Sequence, residues 1–97
     1  MSQARLSRLA EADLDDIWLH IAAESVERAD RVIVRLQRTC EMLAANPGAG
    51  PRRSEFGPGL RSFPVQKYLV FYRQAEDGIE VARIIGGFRD LDAILGR

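Results

Sequence analysis

The 97-residue sequence predicts an α+β fold in the order β-α-α-β-β-β, with an N-terminal helical hairpin packed on a small, mainly antiparallel sheet. Three observations predict it. Tyr68-Leu69-Val70-Phe71-Tyr72 and Ile79-Glu80-Val81-Ala82-Arg83-Ile84-Ile85 are β-branched and aromatic runs with Glu76-Asp77-Gly78 between them. An Asp-Gly between two such runs marks a tight hairpin, because glycine tolerates the positive φ that the turn demands. Upstream, apolar residues recur at helical spacing in two stretches that only Glu24-Ser25 separates, which predicts an antiparallel helical hairpin. A Pro/Gly-rich connection over residues 47–59 then carries the chain from helix to sheet.

Taken in order, Gln3-Ala4-Arg5-Leu6-Ser7 reads as a short edge strand. Ser7 is placed to cap a helix, since its hydroxyl can accept from the free N–H groups of the first turn. Leu14, Ile17, Trp18 and Ile21 follow i, i+3, i+4, i+7 and form the apolar stripe. Glu11, Asp13, Asp15 and Asp16 crowd the opening turns, where they complement the helix dipole. Asp13 and Asp16 share a face, but without a histidine partner a solvated helix start is preferred over a metal site. Ser25 reads as the second cap. Ala29, Val32, Ile33, Leu36, Cys40 and Leu43 mark the apolar face of a longer helix that stops at Asn46-Pro47-Gly48.

Arg28, Arg31, Arg35 and Arg38 lie close together on that helix. Read sharply, they form a basic ridge for phosphate or an acidic partner. Read plainly, they pair with Glu24, Glu27, Asp30 and Glu41 on a wet surface, and the plain reading is preferred. Leu60-Arg61-Ser62-Phe63-Pro64-Val65 supplies a further strand, which Pro64 confines to an edge or an irregular position because it cannot donate to the ladder. The chain, residues 1–97, is expected to form one domain.

Composition narrows the function classes. The 14 basic and 14 acidic residues cancel, so the net positive charge of a nucleic-acid-bound protein is absent. The balance is uneven: residues 1–46 hold six arginines against eight acids, a net −2, and residues 47–97 hold eight basic residues against six acids, a net +2. Thirteen of the basic residues are arginine, which suits bidentate pairing with carboxylate or phosphate. Codon usage in a GC-rich genome explains the bias equally well. The single cysteine, Cys40, excludes an internal disulfide framework and multi-cysteine metal sites. No apolar run approaches a membrane span, and the opening residues lack a signal-peptide core. A cytoplasmic protein without metal or cofactor is expected.

Nucleophilic catalysis needs an activated nucleophile with a base in reach. His20 and Cys40 are the only such pair, and both read better as packing residues on their helices. The glycines do not follow phosphate-binding patterns. One cluster remains: Arg61, Arg73, Arg83 and Arg89, with Lys67 at the hairpin root. Arginines on one sheet face could cradle a phosphodiester. Alternation puts Arg83 with Val81 and Ile85 on the less polar face, where it should have a carboxylate partner from Asp90, Asp92 or another protein. Structural pairing is preferred over catalysis.

A series of residues then resembles a known family. Leu6-Ser7, Ala10, Asp13-Leu14 and Ile17-Trp18 resemble the opening of ParE-type toxins. So do Gly59-Leu60-Arg61-Ser62-Phe63-Pro64-Val65, Tyr68-Leu69-Val70-Phe71-Tyr72-Arg73, Asp77-Gly78-Ile79, Val81-Ala82-Arg83-Ile84-Ile85 and the closing Arg89-Asp90. The series spans essentially the whole chain, in order.

The resemblance implies the RelE/ParE-superfamily fold and the toxin role in a type II toxin–antitoxin pair. A ParD-like antitoxin would neutralise the protein by laying a C-terminal segment, ordered on binding, over helices and sheet. To match exposed arginine and the hydrophobic strip on this chain, that segment should be acidic and apolar. Arg61, Arg73 and Arg83 are the expected antitoxin contacts, and Phe88, Arg89 and Asp90 the expected target contacts. ParE-like toxins are associated with poisoning DNA gyrase, and RelE-like relatives with cutting mRNA on the ribosome. A nuclease of the second kind would use Arg61, Arg73 and Arg83 as catalytic residues with a Tyr or His near the C-terminus. Many ParE-like chains read His-Gly-Arg-Arg-Asp where this one reads Gly86-Gly87-Phe88-Arg89-Asp90, so the obvious base is missing. A non-enzymatic gyrase-binding toxin is therefore expected, with a ribosome-dependent endoribonuclease or a non-toxic binding module of the same fold as alternatives.

Overall fold

A computed structural model describes residues 2–86 and 91–95. Its elements are β1 (Gln3–Leu6), α1 (Arg8–Ala22), α2 (Val26–Ala45), a 3-10 turn (Ser54–Phe56), β2 (Arg61–Val65), β3 (Tyr68–Ala75), β4 (Gly78–Gly86) and α3 (Leu91–Leu95). The strands form one sheet in the order β1-β4-β3-β2. β1 runs parallel to β4, and the other two pairings are antiparallel. The predicted order is recovered, with β1 and the Pro64-bearing β2 as the two edges.

The β3–β4 hairpin organises the sheet. Its glycine is needed twice: Gly78 has φ +149°, and a Cβ there would lie 2.0 Å from the backbone oxygen of Gln3. The same position that lets the chain turn thus lets β1 approach β4. Gln3 N–H donates to the Asp77 carbonyl at 2.7 Å, and Arg5 pairs with the Asp77 carboxylate at 2.6 Å.

Both helices begin where the sequence predicts. The hydroxyl of Ser7 accepts from Ala10 N–H and that of Ser25 from Arg28 N–H, each satisfying a donor that the first turn leaves free. α2 ends at Asn46, whose side-chain amide donates to the Met42 carbonyl. Tyr72, fully buried, pins the loop that follows: its hydroxyl donates to the Pro47 carbonyl at 2.8 Å and accepts from Gly50 N–H at 2.9 Å.

Apolar residues cover both faces of the sheet. On one, Leu36, Cys40, Leu43 and Ala10 of the helices meet Val70, Tyr72, Ile79, Val81 and Ile84. On the other, Leu60, Phe71 and Ile85 are covered by Phe56, Leu91, Ile94 and Leu95. The sequence pattern predicts only a tail after β4; α3 forms because those three tail residues have an apolar sheet face to cover.

Candidate functional site

Asp13 and Arg83 form a bidentate, largely buried ion pair. β1 pairs with β4 only as far as Leu6 and Val81, so the β4 edge beyond is open to α1. Ser7 covers its first part, N–H to the Val81 carbonyl at 2.9 Å and hydroxyl to the Ala82 carbonyl at 2.8 Å. Asp13, in the second turn of α1, covers the next. Its carboxylate accepts from Ile84 N–H at 2.9 Å and from Arg83 Nε and a terminal guanidinium nitrogen at 2.8 and 2.9 Å. Both side chains are largely buried, Asp13 being 13% exposed and Arg83 22%. The Asp13 hydrogen bond, opposed by burial, pushes the Arg83 guanidinium above its ordinary range.

Two expectations are corrected here. Asp13 is not part of a solvated helix start, and the partner of Arg83 is neither a tail carboxylate nor another protein. A shift in register between β3 and β4 next to Phe71 and Tyr72 is the reason. Phe71 pairs with Arg83 and Tyr72 with Val81, so Ala82 is an extra residue that breaks the alternation. Val81 and Ile84 consequently join one core and Ile85 the other, and Arg83 does not share a face with both Val81 and Ile85. Helical spacing does carry the missed signal, since Ala10, Asp13 and Ile17 succeed one another at three and four on the face that carries Leu14 and Ile21.

Beside this pair lies a cleft of about 420 Å³, walled by Ile17, Ile84, Ile85 and Ile94 and bearing Asp16, His20, Lys67 and Tyr68 as further polar groups. His20 is exposed and lines this cleft rather than packing in the core, contrary to the sequence reading. Burial pushes the Tyr68 hydroxyl above its ordinary range, with Arg28 opposing. Cys40 is buried as expected, and desolvation, reinforced by Glu41, raises its thiol to about 11. That is an inert packing thiol at neutral pH.

Arg61 and Arg73 do not join Arg83. They line a separate shallow pocket with Arg52, and each is tied to backbone: Arg61 donates to the Gly50 carbonyl at 2.7 Å and Arg73 to the Pro58 carbonyl at 3.1 Å. Arg53, which the sequence reading did not single out, stands over the rings of Phe56 and Phe71 at 4.9 and 5.7 Å and bonds Ser62 and Glu55. Phe88, Arg89 and Asp90 lie outside the described residues. Among the described residues, no group of three His, Cys, Asp or Glu side chains could hold a metal ion. No helix among them is long and apolar enough to cross a membrane.

These features define a compact class of protein: a helical hairpin on a four-stranded sheet, locked at the β4 edge by an acid from the first helix. The chain belongs to the ParE family, its residues 4–91 matching the model described as "ParE toxin of type II toxin-antitoxin system, parDE". It is 37% identical to Toxin ParE1 of Caulobacter vibrioides, covering 99% of this chain and all of that protein. Toxin ParE3 of the same organism is 31% identical, covering 100% of this chain and 98% of that one. Among solved structures, the chromosomal ParDE toxin–antitoxin system from P. aeruginosa superposes with a TM-score of 0.73 at 27% identity, over 89% of this chain and 96% of that one.

Proposed function

We propose that this toxin stops growth by binding DNA gyrase, without a catalytic step, and that a ParD-like antitoxin neutralises it in the cytoplasm. The observation that supports binding over cutting is the state of the arginines. A phosphodiester-cleaving site needs cations converging on one scissile group. Here Arg83 has its guanidinium fork on Asp13, while Arg61 and Arg73 line a different pocket. Gyrase as the target rests on the resemblance to ParE-like toxins.

Arg61 and Arg73 keep guanidinium N–H groups free of carboxylates among the described residues. We therefore put the antitoxin's acidic contacts on those two ahead of Arg83, and the target contacts on Phe88, Arg89 and Asp90. Arg61→Ala should weaken the antitoxin complex by about 1.5–3 kcal/mol, the ordinary value of a charge-assisted hydrogen bond. Calorimetry that finds the affinity unchanged would remove Arg61 from the interface.

One arrangement favours the nuclease alternative: the cleft gathers His20, Lys67 and Tyr68, side chains capable of acid–base work, beside the Arg83 cation. Expression without antitoxin separates the readings. The gyrase reading predicts a DNA-damage response and no new mRNA 5′ ends by primer extension. Mapped mRNA cleavage without that response would establish the nuclease, and unimpaired growth would establish a non-toxic module.

A further inference from the structure

Two groups of arginines pair with no acid among the described residues, and only one group converges. On α2 the preferred sequence reading, pairing with neighbouring acids, holds only for Arg28, which approaches Glu24 at 3.9 Å. Arg31, Arg35 and Arg38 form no ion pair among the described residues, but they are strung along an exposed helix face. Arg52, Arg61 and Arg73 instead line one pocket of about 330 Å³, whose lining holds no acid.

The backbone builds that convergence. Ser62 N–H donates to the Pro51 carbonyl at 3.1 Å and Arg53 N–H to the Leu60 carbonyl at 2.7 Å. Arg52 and Arg61 therefore oppose each other as an antiparallel, non-hydrogen-bonded pair. Such a pair sets its Cα atoms about 4.5 Å apart with both side chains on one face, where like charges repel. Arg73 joins them from β3. Glu80, opposite Arg73 in the β3–β4 ladder, forms no ion pair with it, and Glu55 bonds Arg53. Two of the three cations are held in place, Arg61 by the Gly50 carbonyl and Arg73 by the Pro58 carbonyl. A guanidinium has five N–H donors, so each keeps others for a ligand. The Ser54 hydroxyl and the Gln74 amide add neutral polar groups to the lining.

Three cations fixed around one space call for an anion of more than one charge. A carboxylate brings one charge and two oxygens. A phosphate monoester brings nearly two charges and three terminal oxygens. The pocket also has the size of a small-molecule site, with room for the group that the phosphate esterifies. A polynucleotide fits less well, because the neutral chain lacks the positive field that gathers one.

We propose that the pocket of Arg52, Arg61 and Arg73 binds a small phosphate monoester, whose terminal oxygens accept from the three guanidinium groups. The site goes beyond the gyrase and antitoxin reading and does not rest on it. An antitoxin carboxylate at Arg61 or Arg73 would compete with the ligand.

The test is an amide NMR titration of the purified chain, without antitoxin and at constant ionic strength. Glycerol 3-phosphate at pH 7.5 should give saturating shifts at residues 52–54 and 59–61, with a Kd of about 1 mM or lower. Its affinity should fall about tenfold by pH 5, as the second phosphate proton returns near pH 6. Dimethyl phosphate and acetate, with one charge each, should bind at least about tenfold more weakly. R52Q, at an exposed position, and R73Q should each weaken binding by about tenfold, and R35Q on α2 should leave it within about twofold. If R73Q does not fold, R52Q alone carries the test. Dimethyl phosphate binding as tightly as the monoester assigns the pocket to a nucleic-acid backbone and overturns the proposal. Acetate binding as tightly assigns it to protein carboxylates and overturns it too. Absence of saturating shifts, or binding that survives R52Q, also overturns it, and each of these failures leaves the toxin–antitoxin reading standing.

Discussion

At the scale of single residues, Asp13 and Arg83 explain most of what the site is. One carboxylate satisfies a guanidinium fork and the Ile84 N–H, a backbone group that no strand reaches. Asp13→Ala strands both, and should lower stability by about 3 kcal/mol in urea unfolding. The D13A/R83A double variant should be less destabilised than the two single losses added together, because removing both partners leaves no uncompensated charge. Additivity within about 0.5 kcal/mol would mean that the pair contributes no coupling. Cys40 offers a pH test. Its folded thiol, raised to about 11 from an ordinary 9.0, holds its proton more tightly than the unfolded thiol does. The corresponding stability is fully present below pH 9 and is lost as pH rises to about 11, an effect of roughly 3 kcal/mol. C40A should flatten the alkaline limb of the stability profile; an unchanged limb assigns it to other groups. Little of the pair was legible beforehand. Sequence spacing puts Asp13 on the buried face of α1, but that it meets Arg83 depends on the extra residue Ala82, which alternation does not reveal.

At the scale of elements, the sequence is far more informative, because each boundary has a local chemical cause. Ser7 and Ser25 cap, Asn46-Pro47 ends α2, Pro64 sits on an edge strand, and Asp77-Gly78 turns the hairpin. The parallel β1–β4 contact is the non-local consequence. Gly78→Ala should displace β1, since it imposes an unfavourable φ and a clash with Gln3 together, at a cost of about 2–4 kcal/mol. Urea unfolding and amide exchange at residues 3–6 measure it; unchanged protection would show that β1 does not depend on this close approach. α3 was not legible, because five residues are too few for a periodic signal and its cause is the apolar sheet face around Phe71 that it covers. His20 and the α2 arginines were misread for the same kind of reason. Period alone marks a face, and only tertiary packing says whether that face is core, cleft or solvent.

At the scale of the whole molecule, an electrically neutral chain presents its unmatched cations locally, on α2 and around Arg61 and Arg73, rather than as a field. Such a distribution fits recognition of acidic protein segments better than capture of a nucleic-acid backbone. The fold supplies rigid surfaces for that: both sheet faces are packed, and the first helix is fastened to the β4 edge by Ser7 and Asp13. The sequence made the fold and the family legible because both are written across the entire chain. The contact surfaces were legible only as arginines, since which of them have partners is decided between elements. On the proposed reading, this scaffold inhibits gyrase by binding. It is tested most directly by titrating the purified protein into a gyrase supercoiling reaction. Supercoiling should be lost as the protein is added and restored when antitoxin is included. Supercoiling that stays unchanged in excess protein would contradict it.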